Sequence, residues 1–305
     1  MKIIHKSFKS SGSEGDWVLL IGNFDGFHLG HQALIKALLE AKSKYNAKAA
    51  ILSFDPHPKV VLQPHVPFQH IYDEETKWCL MEELGLDACF LIPFTPRFAG
   101  LTPKEFTEKL FALLSIKQII VGYDFNFGRD RSGGAADLKE GAKAKGVEFT
   151  QLEPVKLDRY TISSTMIRRL LYEAEFAQAE NLLGRPWRIL GEVQKGAQLG
   201  RTIGFPTINI LPPVLLPVRF GVYVVEVELR GNTYKAVCNI GHAPTFGLAQ
   251  LKVEAHIFDF DQEVYGQMAK VKPLAFIRDE EKFESKEALT VQIAKDVEIA
   301  KNWKS

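Results

Sequence analysis

Up to about residue 183 the apolar positions fall into short continuous runs separated by stretches of helical periodicity. The runs Trp17–Ile21, Ala49–Phe54, Ala88–Pro93, Gln118–Gly122 and Val147–Leu152 do not alternate with polar residues, which predicts strands covered on both faces. Between them, residues 30–44, 74–84, 103–114 and 135–145 predict helices; in the first, Leu34, Ala37, Leu38 and Ala41 recur at the spacing of one helix face. Such alternation predicts an α/β domain with a parallel sheet. One more helix is expected from Ser164 through Leu183, stopped by Gly184 and Pro186. Then the period changes to two. Tyr223, Val225, Val227 and Leu229 share one face while Glu226 and Glu228 take the other, and further strands follow at about Tyr234–Asn239, Val253–Asp259 and Met268–Ile277. Closely spaced antiparallel strands predict a small barrel, and Phe283–Lys301, rich in Glu, Lys and Ala, predicts a C-terminal amphipathic helix. The change near Gly184–Arg188 divides the chain into expected domains 1–184 and 185–305.

Composition narrows the function classes. The 305 residues carry 38 Lys+Arg against 37 Asp+Glu, a net charge of +1, so no global field draws nucleic acid or an anionic membrane. No apolar run approaches the ~20 residues of a membrane span, and no apolar segment follows the N-terminal lysines as in a signal peptide. Cys79, Cys89 and Cys238 stand far apart without C-x-x-C spacing, which predicts reduced structural thiols and a cytoplasmic protein. Nothing in the sequence indicates an oligomer.

The richest segment follows the first strand: Gly22-Asn23-Phe24-Asp25-Gly26-Phe27-His28-Leu29-Gly30-His31. A Gly-rich turn at the carboxyl end of a strand leads into a helix, with His28 and His31 at its start. There open α/β sheets bind ligands, and backbone N–H groups and the helix dipole favour phosphate. Two imidazoles at that point can donate hydrogen bonds to an α-phosphate as charge builds on it. A zinc pair fits less well, since helical zinc pairs sit at i, i+4 and no cysteine or third histidine lies nearby. Further along, Ser53-Phe54-Asp55-Pro56-His57-Pro58 ends a strand and reads also as an Asp-Pro turn. Val121 to Gly128 sets Asp124 among aromatics, suited to stacking on a flat heteroaromatic ring and accepting its N–H. Gly128–Gly134, with Arg129 and Arg131, is either a basic loop near phosphates or a solvated one. Ser163, Ser164 and Thr165 place hydroxyls at a helix start; Arg168, a cation at the dipole's unfavourable end, points to a phosphate clamp.

The second half lacks Walker A and G-x-G-x-x-G cradles. Its glycine-spaced loop Gly196–Arg201, through Gly200, can cover phosphates with backbone N–H groups. Thr207 and Asn209 share a face if extended and offer neutral oxygens suited to Mg²⁺ shared with ATP, though Pro-Thr-x-Asn also reads as a turn. Glu254 lies within a strand pattern opposite Val253 and Ala255.

Taken in order, Gly22–His31, Phe54–Pro58, Val121–Gly133, Ile162–Arg168, Leu183–Pro186, Gly200–Asn209, Asn239-Ile240-Gly241, Pro244-Thr245-Phe246, Glu254 and Arg278–Phe283 resemble the bacterial bifunctional riboflavin kinase/FAD synthetase family over nearly the whole chain. The resemblance implies a Rossmann-like nucleotidylyltransferase domain that adenylylates FMN to FAD, releasing pyrophosphate, and a riboflavin kinase barrel that makes FMN, each with ATP and Mg²⁺. It assigns His28 and His31 to ATP phosphates, with Gly22, Asn23, Phe24, Asp25 and Phe54 around the nucleotide and flavin. Ser164, Thr165 and Arg168 become a second phosphate clamp, and Asp124 holds the flavin. In the barrel it gives Thr207 and Asn209 to Mg²⁺–ATP, Gly196, Gly200 and Arg201 to the covering loop, Arg278 to ligand binding, and Glu254 to the role of general base. The family commonly has Arg at the positions of Met166 and Ala243 and often His at Lys195; Arg168 and Arg169 remain beside Met166, so the first domain is expected to function, while Ala243 and Lys195 bear on kinase efficiency. An adenylyltransferase with an inert barrel is the alternative, opposed by Thr207, Asn209 and Glu254 together; a flavin-binding regulator is opposed by His28 and His31.

Overall fold

The computed structural model describes residues 1–5, 13–157, 160–196, 199–243 and 250–304. It divides into two units, residues 1–68 with 77–163, and residues 69–76 with 164–305.

In the first unit the strands β1 (Lys2–His5), β2 (Ser13–Ile21), β3 (Lys48–Asp55), β4 (Ala88–Pro93), β5 (Leu114–Gly122) and β6 (Glu148–Leu152) form one sheet. Their order is β1-β4-β3-β2-β5-β6 and every pair is parallel. The continuous apolar runs are buried on both faces. Trp17, Leu19 and Ile21 join Phe90, Phe106, Leu110 and Leu138 in one core, which gathers α3 (Pro103–Leu113) and α4 (Ala135–Ala144) against the sheet. Val18 and Leu20 alternate with them and are fully buried too, and α1 (Leu29–Tyr45) packs on β2, β3 and β5. A further helix, α2 (Glu74–Glu83), precedes β4. In α1 the most buried positions are Ile35, Leu38 and Ala41, so the inner face is turned slightly from the one the spacing predicts. The short edge strand β1 has no counterpart among the expected elements.

The helix expected from Ser164 through Leu183 is two helices, α5 (Ser164–Tyr172) and α6 (Phe176–Leu183). The break falls at Ala174, whose φ of +61° is left-handed. Helix α5 buries Ile167, Leu170 and Leu171, whereas α6 buries Phe176, Ala179, Leu182 and Leu183. At 3.6 residues per turn a straight helix would aim those two stripes to different sides, so the chain turns to bury both. Gly184 ends α6 in the left-handed conformation.

Beyond α6 a closed barrel is built from β7 (Ile189–Gln194), β8 (Ile208–Leu211), β9 (Gly221–Leu229), β10 (Asn232–Ala243), β11 (Gln250–Ile257) and β12 (Met268–Arg278). Their order is β7-β8-β11-β10-β9-β12, antiparallel throughout. Tyr223, Val225, Val227 and Leu229 are buried as their alternation predicts. The other side of β9 is also covered: Val222 and Val224 pack with Val237 and with Ala300 of α7 (Lys286–Asn302). Residues 69–76 belong to this unit, with Ile71 and Tyr72 buried. Trp187 Nε1 donates to the Ile71 carbonyl at 2.9 Å, and the Trp187 ring stacks on Phe176 at 6.3 Å.

Candidate active sites

Strands β2 and β5 are neighbours at the point where the strand order reverses, and the register pairs Leu20 with Ile120. The turns that follow Ile21 and Val121 therefore leave the sheet at the same level, at the carboxyl ends where α/β sheets take ligands. The first turn is built from left-handed backbone at Phe24, Gly26 and Phe27. A Cβ at Gly22 would stand 2.9 Å from the Phe24 ring, so glycine is required there for the ring to fold back. Phe24, Asp25, Phe27 and His28 are buried and Asn23 is exposed. Phe24 and Phe27 meet the His31 ring at 5.1 and 6.3 Å. Burial of two apolar rings in the turn holds the histidines in place.

His28 caps α1: its Nδ1 accepts from the His31 backbone N–H at 3.3 Å. An Nδ1 that accepts places the proton of the neutral ring on Nε2. The His28 and His31 rings stack 3.6 Å apart, and a Cβ at Gly30 would press on His28 at 3.1 Å. His31 is only partly exposed, and its Nδ1 is buried with no hydrogen-bond partner among the described residues. Burial, and then the charge of a protonated His28 beside it, push the His31 pKa well below the ordinary histidine value. At neutral pH His31 is an uncharged ring, able to offer one N–H.

In the second turn Asp124 is exposed. Asn126 Nδ2 donates to its carbonyl at 2.7 Å, and Gln151 Nε2 donates to the Tyr123 carbonyl at 3.0 Å. Phe54 is partly buried, with Phe94 and Phe98 5.8 and 5.5 Å away. Gly128–Gly134 is a tethered structure: the Arg129 N–H donates to the Leu101 carbonyl, and a Cβ at Gly133 would lie 2.8 Å from Pro103. Arg129 and Arg131 themselves are exposed.

Ser164, Thr165 and Arg168 start α5, in the second unit. Arg168 Nε donates to the Gln69 carbonyl at 2.8 Å. Met166 is half-buried between them, and Arg169 Nη2 reaches its sulfur at 3.7 Å.

On the barrel the antiparallel register aligns polar residues across adjacent strands. Gln194 of β7 faces Asn209 of β8, Asn209 faces Glu254 of β11, and Glu254 faces Asn239 of β10. Residues directly opposite share a face, and here it is the outer one, since Val193, Ile210, Val253 and Ile240 are buried inside. A Cβ at Gly196 would lie 2.3–2.5 Å from the Asn209 amide. That amide is therefore laid against bare backbone. Asn209 is 6% exposed and its Oδ1 is buried without a partner among the described residues. A buried acceptor left unmatched costs about 1–3 kcal/mol, and a hard cation is one group that removes the cost. Gly200 is folded onto Phe205, whose carbonyl would meet a Cβ at 2.2 Å, and onto Thr207 Oγ1 at 3.5 Å. Thr207 and Asn209 thus fit an oxygen-ligated Mg²⁺. Among the described residues no group of three or more His, Cys, Asp or Glu is arranged to hold a metal.

The structure places Arg278 on Asp296 of α7, which is 2% exposed, with Nη2 2.8 Å from Oδ2. Its guanidinium is largely committed to pinning that helix to β12. Arg201 is exposed, and Lys195 is exposed with Nζ 5.7 Å from the centre of the Tyr265 ring. Ala197 and Gln198 of the covering loop, Pro244-Thr245-Phe246 and the Ala243 side chain lie outside the described residues.

Two residues that sequence reasoning passed over, Lys252 and His256, join this site, as does Asn239 of the Asn-Ile-Gly motif. Lys252 Nζ donates to Glu254 Oε1 at 2.8 Å. The His256 ring nitrogen Nδ1 bonds the Pro206 carbonyl at 2.8 Å, just before Thr207. Asn239 Nδ2 donates to Glu280 Oε1 at 2.9 Å. Period-two spacing from Glu254 would have found Lys252 and His256.

A parallel α/β unit with imidazoles at a helix start, together with a barrel carrying an amide and a carboxylate in register, is the layout of a two-part nucleotidyl- and phosphoryl-transfer enzyme. The family model described as FAD synthetase matches residues 11–166, and that described as riboflavin kinase matches residues 183–304. Relatives named bifunctional riboflavin kinase/FMN adenylyltransferase are 37% identical in Listeria monocytogenes (92% of this chain, 90% of the relative) and 41% identical in Haemophilus influenzae (93% and 92%). That of Escherichia coli is 36% identical over 94% of this chain and 92% of its own. A crystal structure described as a macrolide-efflux protein from Streptococcus pneumoniae superposes with a TM-score of 0.82 at 34% identity, over 100% of both chains. Among the described residues no helix is long and apolar enough to cross a membrane. The chain belongs to the bifunctional riboflavin kinase/FMN adenylyltransferase family.

Proposed function

We propose the following division of roles within a two-step enzyme. The chain phosphorylates riboflavin to FMN and adenylylates FMN to FAD, both with ATP. Adenylylation is assigned to residues 1–184 and phosphorylation to residues 185–305. In the first reaction a phosphate oxygen of FMN attacks the α-phosphorus of ATP, the bond to the β-phosphate oxygen breaks, and pyrophosphate leaves. His28, with its proton on Nε2, and the neutral His31 donate to the phosphate oxygens as charge shifts onto them. Asn23, Asp25 and Asp124 act around the nucleotide and flavin, and Ser164, Thr165 and Arg168 are kept as residues for the phosphates of ATP. In the second reaction the 5′-hydroxyl of the ribityl chain attacks the γ-phosphorus, ADP leaves, and Glu254 accepts the hydroxyl proton. Thr207 and Asn209 hold Mg²⁺, which when bound neutralises phosphate charge. Gly196, Gly200 and Arg201 form the cover over ATP. Three scattered cysteines without C-x-x-C spacing support a cytoplasmic location.

The observation that carries the kinase assignment is the register rank of Asn209 beside Glu254, with the buried unmatched Oδ1 of Asn209 next to the proposed base. The test is to incubate the protein with riboflavin, ATP and Mg²⁺ and separate the flavins by chromatography. FMN and then FAD are expected. With His28→Ala, FMN should accumulate and FAD formation should fall on the order of 10²-fold or more. With Glu254→Gln, riboflavin should remain while added FMN is still converted to FAD. Equal damage to both steps by either variant would overturn the division of roles.

A further inference from the structure

The proposed base has a dedicated partner. Lys252 and Glu254 are two apart on β11 and so share its outer face, and Nζ donates to Oε1 at 2.8 Å. The two side chains are 26% and 36% exposed, so their attraction is less screened than at an open surface. Directly across the register from Lys252 is Gly241. The neighbouring carboxylate of Glu280, over Gly241, is held by Asn239 Nδ2. Each carboxylate therefore has its own donor.

We propose that Lys252 is a positioning residue for riboflavin phosphorylation, acting through Glu254. The inference rests on the reading of Glu254 as the base. A strand glutamate without an anchor turns through several rotamers. An ammonium on Oε1 fixes the carboxylate plane and leaves Oε2 to meet the substrate hydroxyl. It also offsets the repulsion between the carboxylate and the phosphates of ATP, which the adjacent Asn209 would bring close through Mg²⁺. A misplacement of about 1 Å at a reacting group can cost on the order of 10²-fold in rate. The role asks for a fixed positive charge on a long stem, which lysine supplies and arginine can supply in its place.

The test uses the full chain and steady-state FMN formation, with FMN-to-FAD conversion and thermal melting as checks on folding. Lys252→Met should lower kcat by roughly 10- to 100-fold while the KM values for ATP and riboflavin stay within about twofold. Lys252→Arg should recover most of the lost kcat. In a Glu254→Gln background, Lys252→Met should cause no further loss, because a residue acting through another has nothing left to act on. Should Lys252→Met unfold, Lys252→Gln and Lys252→Arg carry the comparison, with Gln impaired and Arg active. An unchanged kcat, a raised KM for ATP with kcat kept, or losses that multiply in the double variant would each overturn the proposal. Glu254→Gln inactive with Lys252→Met active defeats this inference alone, whereas an active Glu254→Gln defeats the base assignment and the inference with it.

Discussion

His31 is the residue at which burial and chemistry meet most directly. Its folded pKa lies well below the ordinary value of 6.5, through burial first and the charge of His28 second. The sign follows from proton counting. Between the two pKa values the unfolded chain binds a proton that the folded one refuses, so this contribution is full above about pH 6.5 and is lost as pH falls. Melting curves from pH 7.5 to 5 should show falling stability, and His31→Asn should make the fall shallower. A slope unchanged by the substitution would show that His31 titrates alike in the folded and unfolded chain, so that burial does not lower its pKa. Gly196 allows a second test at this scale. An added Cβ would lie 2.3–2.5 Å from the Asn209 amide, so Gly196→Ala should displace that amide. FMN formation should drop by about tenfold or more and need more Mg²⁺, while FAD formation from FMN is retained. Glycines and histidines of this kind are legible in sequence because each has few other uses in a strand–turn–helix. Lys252 and His256 were not, since charged residues on an alternating strand look the same whether solvated or partnered. For Arg278, which the resemblance gives to ligand binding, the structure adds an ion pair with Asp296 that the sequence did not signal.

Among the elements, sequence pattern gave the parallel sheet strands and the barrel strand Gly221–Leu229, whose alternation leaves little choice of face. It missed β1, an edge strand of four residues, β7, in which Gly191 interrupts the apolar alternation, and β8, which is only four residues long. The break between α5 and α6 was hidden because the left-handed residue is Ala174 rather than a glycine. Phe176 lies against both Trp187 and Tyr223, 6.3 and 6.0 Å away. Cutting the chain at Arg185 therefore strips apolar cover from the barrel. A fragment 164–305 and a fragment 185–305 both carry Thr207, Asn209 and Glu254. The longer should melt higher, since fully burying each of Phe176, Leu182 and Leu183 contributes about 1.5–3 kcal/mol. It should also make FMN but no FAD. Equal melting temperatures would show that α6 adds nothing to the barrel.

Over the whole molecule, the two proposed chemistries are expected to be silenced one at a time by single substitutions, yet the chain does not separate at a single point. Residues 69–76 are counted with the second unit although they lie between stretches of the first. The Trp187 indole and the Ile71 carbonyl are 116 residues apart in sequence. During synthesis at about 5–20 residues per second, Ile71 and Tyr72 leave the ribosome roughly six to twenty-three seconds before Trp187 does. For that interval the nascent polypeptide carries an apolar strip whose final neighbours have not yet been translated. Slow decoding between codons 77 and 186 would lengthen the exposure, so synonymous changes there should shift the soluble yield without altering a single residue of the enzyme.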